Sequence, residues 1–204
     1  MKRSDWIMLG VGGLILSIVI AWFQRVPGYM DAEYYYAGGM RIASGQCQTE
    51  PFIWNYLDDP TGLPHPSFSY WMPMASILAG AGMWITGQLE FFSARIFFFM
   101  LSGIIPILTA TLTLKLGGNQ KQARLAGWFA IFSGFYAIYT GITETFAISM
   151  AIGSCLLLVL ASNWGLLIRC LVGGALAGLM HLTRADGLLW LGAIGIWVGL
   201  EYLR

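Results

Sequence analysis

Charge is what this sequence has least of. Only 10% of its 204 residues are Asp, Glu, Lys or Arg, against roughly a quarter in a soluble domain. With 57% apolar residues and a mean hydropathy of +0.68, the chain cannot clothe a water-soluble surface. A net charge of +1 provides no basic field and excludes nucleic acid as a partner. Cysteine is scarce too. Cys47, Cys155 and Cys170 form no CxxC pair, so neither a disulfide framework nor a metal knuckle is indicated. The last two lie in apolar segments and read as small buried residues. The sequence also lacks internal repeats, low-complexity tracts and a Gly-rich nucleotide loop.

What is present is a series of apolar runs: 6–23, 68–87, 96–115, 125–141, 145–161, 169–183 and 188–203. About 20 helical residues cross the roughly 30 Å of bilayer hydrocarbon. Lys2 and Arg3 precede the first run, and Trp22-Phe23-Gln24-Arg25 follows it in place of a small-x-small cleavage site. The segment therefore reads as an uncleaved signal anchor with its basic end in the cytoplasm. The run 68–87 differs from the others in carrying Pro73, Gly80, Gly82 and Gly87, with Trp71 and Trp84 near its ends. If it stays at the outer interface, Lys2, Arg3, Lys115, Lys121, Arg124, Arg169 and Arg204 share the cytoplasmic side. Only Arg25, Arg41, Arg95 and Arg184 are then left outside. If it spans, the bias reverses. The positive-inside rule favours an all-α, polytopic transmembrane bundle of about six spanning helices, with 24–95 as a long extracytoplasmic loop containing juxtamembrane helices. Seven crossings is the alternative. In the favoured topology Asp31, Glu33, Glu50, Asp58, Asp59, Glu90, Glu144 and Asp186 all face outward.

The loop carries two informative stretches. Asp31 is placed to N-cap a helix over 32–44, which Gly45 stops. Ala37, Met40 and Ile42 give that helix an apolar surface for lying on the membrane. Asp31 and Glu33 are two apart, so they converge only if Asp31 precedes the first turn. Otherwise they read as a cap and a solvated glutamate. Further on, prolines restrict 55–67 to extended and turn conformations and hold His65 between Pro64 and Pro66. His65 reads either as a ring presented to a ligand or as a structural histidine. Asp58-Asp59-Pro60 reads as a turn.

These stretches carry a family resemblance. Asp31-Ala32-Glu33-Tyr34-Tyr35-Tyr36, just after a first membrane helix, resembles the acidic first-loop motif of the GT-C glycosyltransferases. His65-Pro66-Ser67 followed by Tyr70-Trp71 resembles the Lys/His-Pro-Pro-Leu-x-x-Trp element of the protein mannosyltransferase and aminoarabinose transferase branch. Gly87 through Ala94-Arg95 is similar to the Gly-x-x-x-x-x-Ala-Arg stretch of that branch. Leu182-Thr183-Arg184-Ala185-Asp186-Gly187 is similar to its Leu-Thr-Arg-Pro-Asp-Gly turn. Ser67 and Ala185 stand where the branch has proline. The likeness covers most of 1–203 and implies a single GT-C-like membrane domain over 1–204, in truncated or reduced form. It also implies a polyprenyl-phosphate sugar as donor, a multi-pass location in the bacterial inner membrane and an active extracytoplasmic face.

Such a transfer needs an activated acceptor, a neutralised leaving phosphate and an in-line approach. The resemblance assigns Asp31 as base. Glu33 assists it, or holds a divalent cation with Asp31 and Glu144 as further candidate ligands. Glu144 lies at the outer break between two apolar runs, as a site residue or as a carboxylate favoured by a helix N-terminus. Arg184 binds the lipid phosphate or pairs with Asp186. Arg95 touches phosphate or anchors the interface, and His181 joins the site or satisfies a helix contact. Two other readings stay open: a non-catalytic subunit with protein partners, and a transporter or flippase. The near absence of midplane charge counts against the latter. Gly12-Gly13, Gly173-Gly174 and Gly174-x-x-x-Gly178 read as close-packing signals.

Overall fold

A computed structural model describes residues 1–46, 49–50, 65–68 and 71–203, and it is almost entirely helical. Helix α1 (Arg3–Phe23) buries Leu9, Gly13, Ser17 and Ala21, four apart and so on one face. Its opposite face exposes Ile7, Ile15 and Trp22. Next come α2 (Met30–Ala43) and a two-residue antiparallel pair, β1 (Thr49–Glu50) with β2 (His65–Pro66), in which Glu50 stands opposite His65. After these follow α3 (Met74–Thr86), α4 (Phe91–Ala94) and α5 (Ile96–Lys115). The chain continues through α6 (Gln120–Ile131), α7 (Thr145–Leu160), α8 (Leu166–Thr183), a 3-10 turn (Ala185–Leu188) and α9 (Leu189–Tyr202).

Among the described residues, three helical stretches are long and apolar enough to cross a membrane: Arg3–Phe23, Phe91–Lys115 and Leu166–Thr183. Among the described residues, the run 68–87 contributes the 13 residues of α3, about 20 Å of helix at 1.5 Å per residue. That falls short of the hydrocarbon thickness, and α3 packs on α2 through Ala75, Ala79 and Met83 against Tyr34 and Tyr35. The run 125–141 departs from expectation. Its helix stops at Ile131, and 132–144 continues as turns. Ser133 accepts there from the backbone N–H of Tyr136 at 3.4 Å, competing with helical pairing. Unbroken apolarity did not mean an unbroken helix.

Helices α1, α5 and α6 share a core of Leu9, Ala110, Ala123 and Ile131. Gly13 is required by the α1–α5 crossing, because a methyl group on it would strike the carbonyl oxygen of Ser102. Gly173 is in packing range of Leu156 and Ile194, whereas Gly174 and Gly178 face open space, so that glycine pair closes no crossing among the described residues. Cys155 and Cys170 are free thiols and only half-buried.

Alternating helix directions divide the charges between two ends. At one end Asp5 of α1 lies 3.8 Å from Arg124 of α6. Arg169 of α8 meets Glu201 of α9 at 3.2 Å, with its guanidinium 4.5 Å from the Trp197 ring centroid. At the other end the C-termini of α1 and α8 meet the N-termini of α2 and α7. Asp31, Glu144, Arg184 and Asp186, outward-facing in the sequence reading, gather here.

Candidate functional site

Helix α2 begins two residues earlier than the sequence suggested. Tyr29, not Asp31, is its N-cap, and Asp31 lies inside the first turn. The consequence follows from the 100° step of the helix. Asp31 turns inward and is half-buried, while Glu33 is exposed and does not line the cavity that Asp31 faces. The expected Asp31–Glu33 pair therefore does not form. α2 does end as expected, before Gly45 at φ +76.

Asp31 lines a cavity of about 320 Å³ together with Tyr35, Trp71, Glu144, Thr145, Arg184 and Asp186. Four separate segments supply these groups. Trp71 is set edge-on to Tyr34, with ring centroids 4.8 Å apart. The Tyr34 hydroxyl accepts from the N–H of Phe68 at 3.2 Å, which ties the segment after β2 to α2. Phe68 has φ +66, a conformation that is strained for a bulky residue and is held here beside the site.

The loop before α7 is pinned by Thr143, whose hydroxyl donates to the Ala32 carbonyl at 2.7 Å. This delivers Glu144 to the cavity wall at 2% exposure. Oε1 of Glu144 accepts from the Thr145 N–H at 2.6 Å and the Thr145 hydroxyl at 2.8 Å. Oε2 accepts from the Tyr29 hydroxyl at 2.8 Å. Glu144 is thus a buried N-cap with both oxygens engaged, the helix-terminus carboxylate that was one of its two sequence readings, and it also lines the cavity.

Arg184 and Asp186 come from the turn after α8. Gly187 permits that turn, because a side chain there would collide with the backbone of Met180 and His181. Arg184 donates from Nε to Asp186 Oδ1 at 3.1 Å and from Nη2 to Oδ2 at 3.4 Å. Its Nη1 reaches Thr145 Oγ1 at 3.4 Å. The Asp186 hydrogen bond is the main influence raising the guanidinium pKa above its usual value.

Asp31 differs from the other two carboxylates of the cavity. It makes no hydrogen bond or ion pair with a described residue. Burial and the negative charge of Glu144 push its pKa above the ordinary carboxylate range, and Arg184 partly opposes them. Burial and the neighbouring Glu144 likewise push the Tyr29 phenol pKa up.

A larger, mainly apolar cleft of about 620 Å³ adjoins the cavity. Phe146, Met150, Met180, Leu189 and Trp190 line it, and it shares Arg184 and Asp186 with the polar cavity. One arginine thus sits where an open apolar cleft meets a polar pocket.

The structure also places three further sets of candidates. Arg95 is 2% exposed and donates to the carbonyls of Gln24 at 2.9 Å and Ala21 at 3.2 Å. Its guanidinium carbon lies 4.2 Å from the Phe91 ring centroid. It satisfies the orphan carbonyls that end α1 and is a structural cap rather than a phosphate ligand. His181 does not line either cavity, and its Nδ1 is buried without a partner. Among the described residues no three of His, Cys, Asp and Glu converge on a metal position, so Asp31, Glu33 and Glu144 do not make one. Of His65 the structure describes the backbone in β2, and its side chain lies outside the described residues, as do Cys47, Asp58, Asp59 and Tyr70.

Sequence reasoning passed over Tyr29 and Thr145. Thr145 had a visible signal, since it follows an acidic residue at the start of an apolar run. Tyr29 had none, because its partner lies 115 residues away. Comparison of the chain with protein-family models finds no match, and comparisons with curated proteins and with solved structures find none either.

Proposed function

We propose that the chain is a multi-pass membrane glycosyltransferase that moves a sugar from a polyprenyl-phosphate lipid to an acceptor on the extracytoplasmic face. The observation that carries this reading is the position of Arg184, shared by a polar cavity containing a free carboxylate and an apolar cleft of lipid-chain character. The donor's prenyl chain occupies the cleft, its phosphate meets Arg184, and its sugar enters the cavity against Trp71 and Tyr35. Both volumes fall in the range of about 300–1,000 Å³ usual for ligand sites.

In this mechanism the acceptor's nucleophilic atom attacks the anomeric carbon as the carbon–oxygen bond to phosphate breaks. Asp31 takes the acceptor's proton, a role suited to a carboxylate of raised pKa and free oxygens. The electron pair leaves with the polyprenyl phosphate, whose charge Arg184 neutralises. Arg184 is engaged by Asp186 in the free protein, but both side chains are substantially exposed. Such surface pairs contribute only about 0–1 kcal/mol, so an arriving phosphate can replace the carboxylate.

The end bearing Lys2, Arg3, Lys115, Lys121, Arg124 and Arg169 faces the cytoplasm in this reading, by the positive-inside rule. In this reading six segments cross, the short helix α6 being continued by the turns of 132–144, whereas α3 packs on α2 in the outer interface, and the membrane is the bacterial inner membrane. The resemblance of Asp31-Ala32-Glu33 and Leu182 through Gly187 to GT-C motifs supports the same assignment.

The test is sugar release from a polyprenyl-phosphate sugar by the purified protein in lipid vesicles. Wild-type protein consumes the donor, and Asp31→Asn, still folded, does not. Donor left intact by the wild type under every acceptor offered removes the reading.

A further inference from the structure

Capping alone does not account for Glu144. Ser, Thr, Asp and Asn are the efficient N-caps, and glutamate is not among them. A carboxylate at 2% exposure is costly to bury, and Glu144 has no salt-bridge partner among the described residues. What it does have is three hydrogen bonds, two from the adjacent Thr145 and one from Tyr29 in a separate segment. Tyr29, two positions before Asp31, reaches it from the N-cap of α2 at 2.8 Å. The Thr145 hydroxyl donates its only proton to Glu144, which leaves a lone pair for Nη1 of Arg184 at 3.4 Å. The chain of contacts thus runs from the helix carrying Asp31 to the guanidinium at the mouth of the apolar cleft.

We propose that Tyr29, Glu144 and Thr145 form a positioning device that holds Asp31 and Arg184 at a set separation across the cavity. The consequence rests on the glycosyl-transfer reading above. Acceptor base and phosphate counter-charge must act on opposite sides of one anomeric carbon, and an error of about 1 Å in such geometry costs roughly 10²-fold in rate. Glu144 also contributes charge. The groups facing Asp31 are Glu144 from the start of α7 and Arg184 from the turn after α8, with Tyr35 beside it on α2 and Asp186 tied to Arg184.

The experiment compares Glu144→Gln, Glu144→Asp and Tyr29→Phe in full-length protein with a polyprenyl-phosphate sugar. Glu144→Gln keeps an acceptor for the Thr145 N–H and removes the charge. It is expected to lower kcat/KM by roughly 10²-fold and to move the acid limb of the pH profile downward, because a neighbour that raises Asp31 is gone. Glu144→Asp restores the limb. Tyr29→Phe lowers the rate without moving the limb. In thermal unfolding, the Tyr29→Phe/Glu144→Gln double variant loses less than the sum of the single losses. An active wild type whose acid limb is unmoved in Glu144→Gln, or additive thermal losses, overturns the positioning role. A wild type that consumes no donor overturns the glycosyl-transfer reading itself.

Discussion

At the basic end of the bundle each acidic group faces a cation: Asp5 lies 3.8 Å from Arg124, and Glu201 lies 3.2 Å from Arg169. Asn119 caps α6 there in a reciprocal box with Gln122. At the acidic end, Glu144 is buried on hydrogen bonds alone and Asp31 meets no partner among the described residues, although Arg184 lines the same cavity. The same residue types close helices at one end and leave a poised carboxylate at the other. Unsatisfied charge costs stability, so its retention at one end marks where chemistry is to be sought.

The largest effect that would sharpen this contrast is at Asp31. Asp31→Asn is expected to reduce donor turnover by about 10²–10⁴-fold, the usual contribution of a general base. Glu33→Gln, outside the cavity, changes it by less than about twofold, near the limit of an exposed polar substitution. Parallel assays of the two variants check the pair. The sign of the stability effect at Asp31 is also fixed. Its folded-state pKa is raised, so ionisation opposes folding as pH rises through that value. Asp31→Asn should therefore raise the melting temperature at neutral pH, with the gain vanishing below the ordinary carboxylate range.

Next in size is Arg95→Met, which leaves the carbonyls of Ala21 and Gln24 without their donor. An unsatisfied buried group costs about 1–3 kcal/mol. Thermal unfolding should show a loss of that order, with the donor KM unchanged in the surviving folded protein. A raised KM with unchanged stability would return Arg95 to the site. Arg184→Gln should raise the donor KM about tenfold, the loss of one charge-assisted contact of roughly 1.5 kcal/mol. It should also move the acid limb to higher pH, because Arg184 lowers the Asp31 pKa. A pH–rate series checks both. The smallest effect is at the basic end. Arg124→Ala breaks a half-exposed contact and should change stability by less than about 1 kcal/mol, with turnover intact.

Local features were readable from the residues alone. The stop of α2 at Gly45 and the turn around Arg184 and Asp186 depend on neighbouring side chains, whereas in 68–87 only Pro73 and the glycines set the run apart, its length being sufficient to cross. The misreadings share one cause. Whether Asp31 or Glu33 faces the cavity depends on a two-residue shift in where α2 starts. Arg95 is recruited by carbonyls 71 and 74 residues away, and Tyr29 by a carboxylate 115 residues away. The break after Ile131 was hidden because hydropathy measures transfer from water, not backbone pairing.

Low charge and long apolar runs by themselves determined that this chain is a bundle of apolar helices with polar ends, because burial free energy follows composition. Which carboxylate stays unengaged was decided only in three dimensions. An oxygen's freedom depends on the donors folding brings to it, and for Glu144 one of those donors is Tyr29, from the far side of the chain.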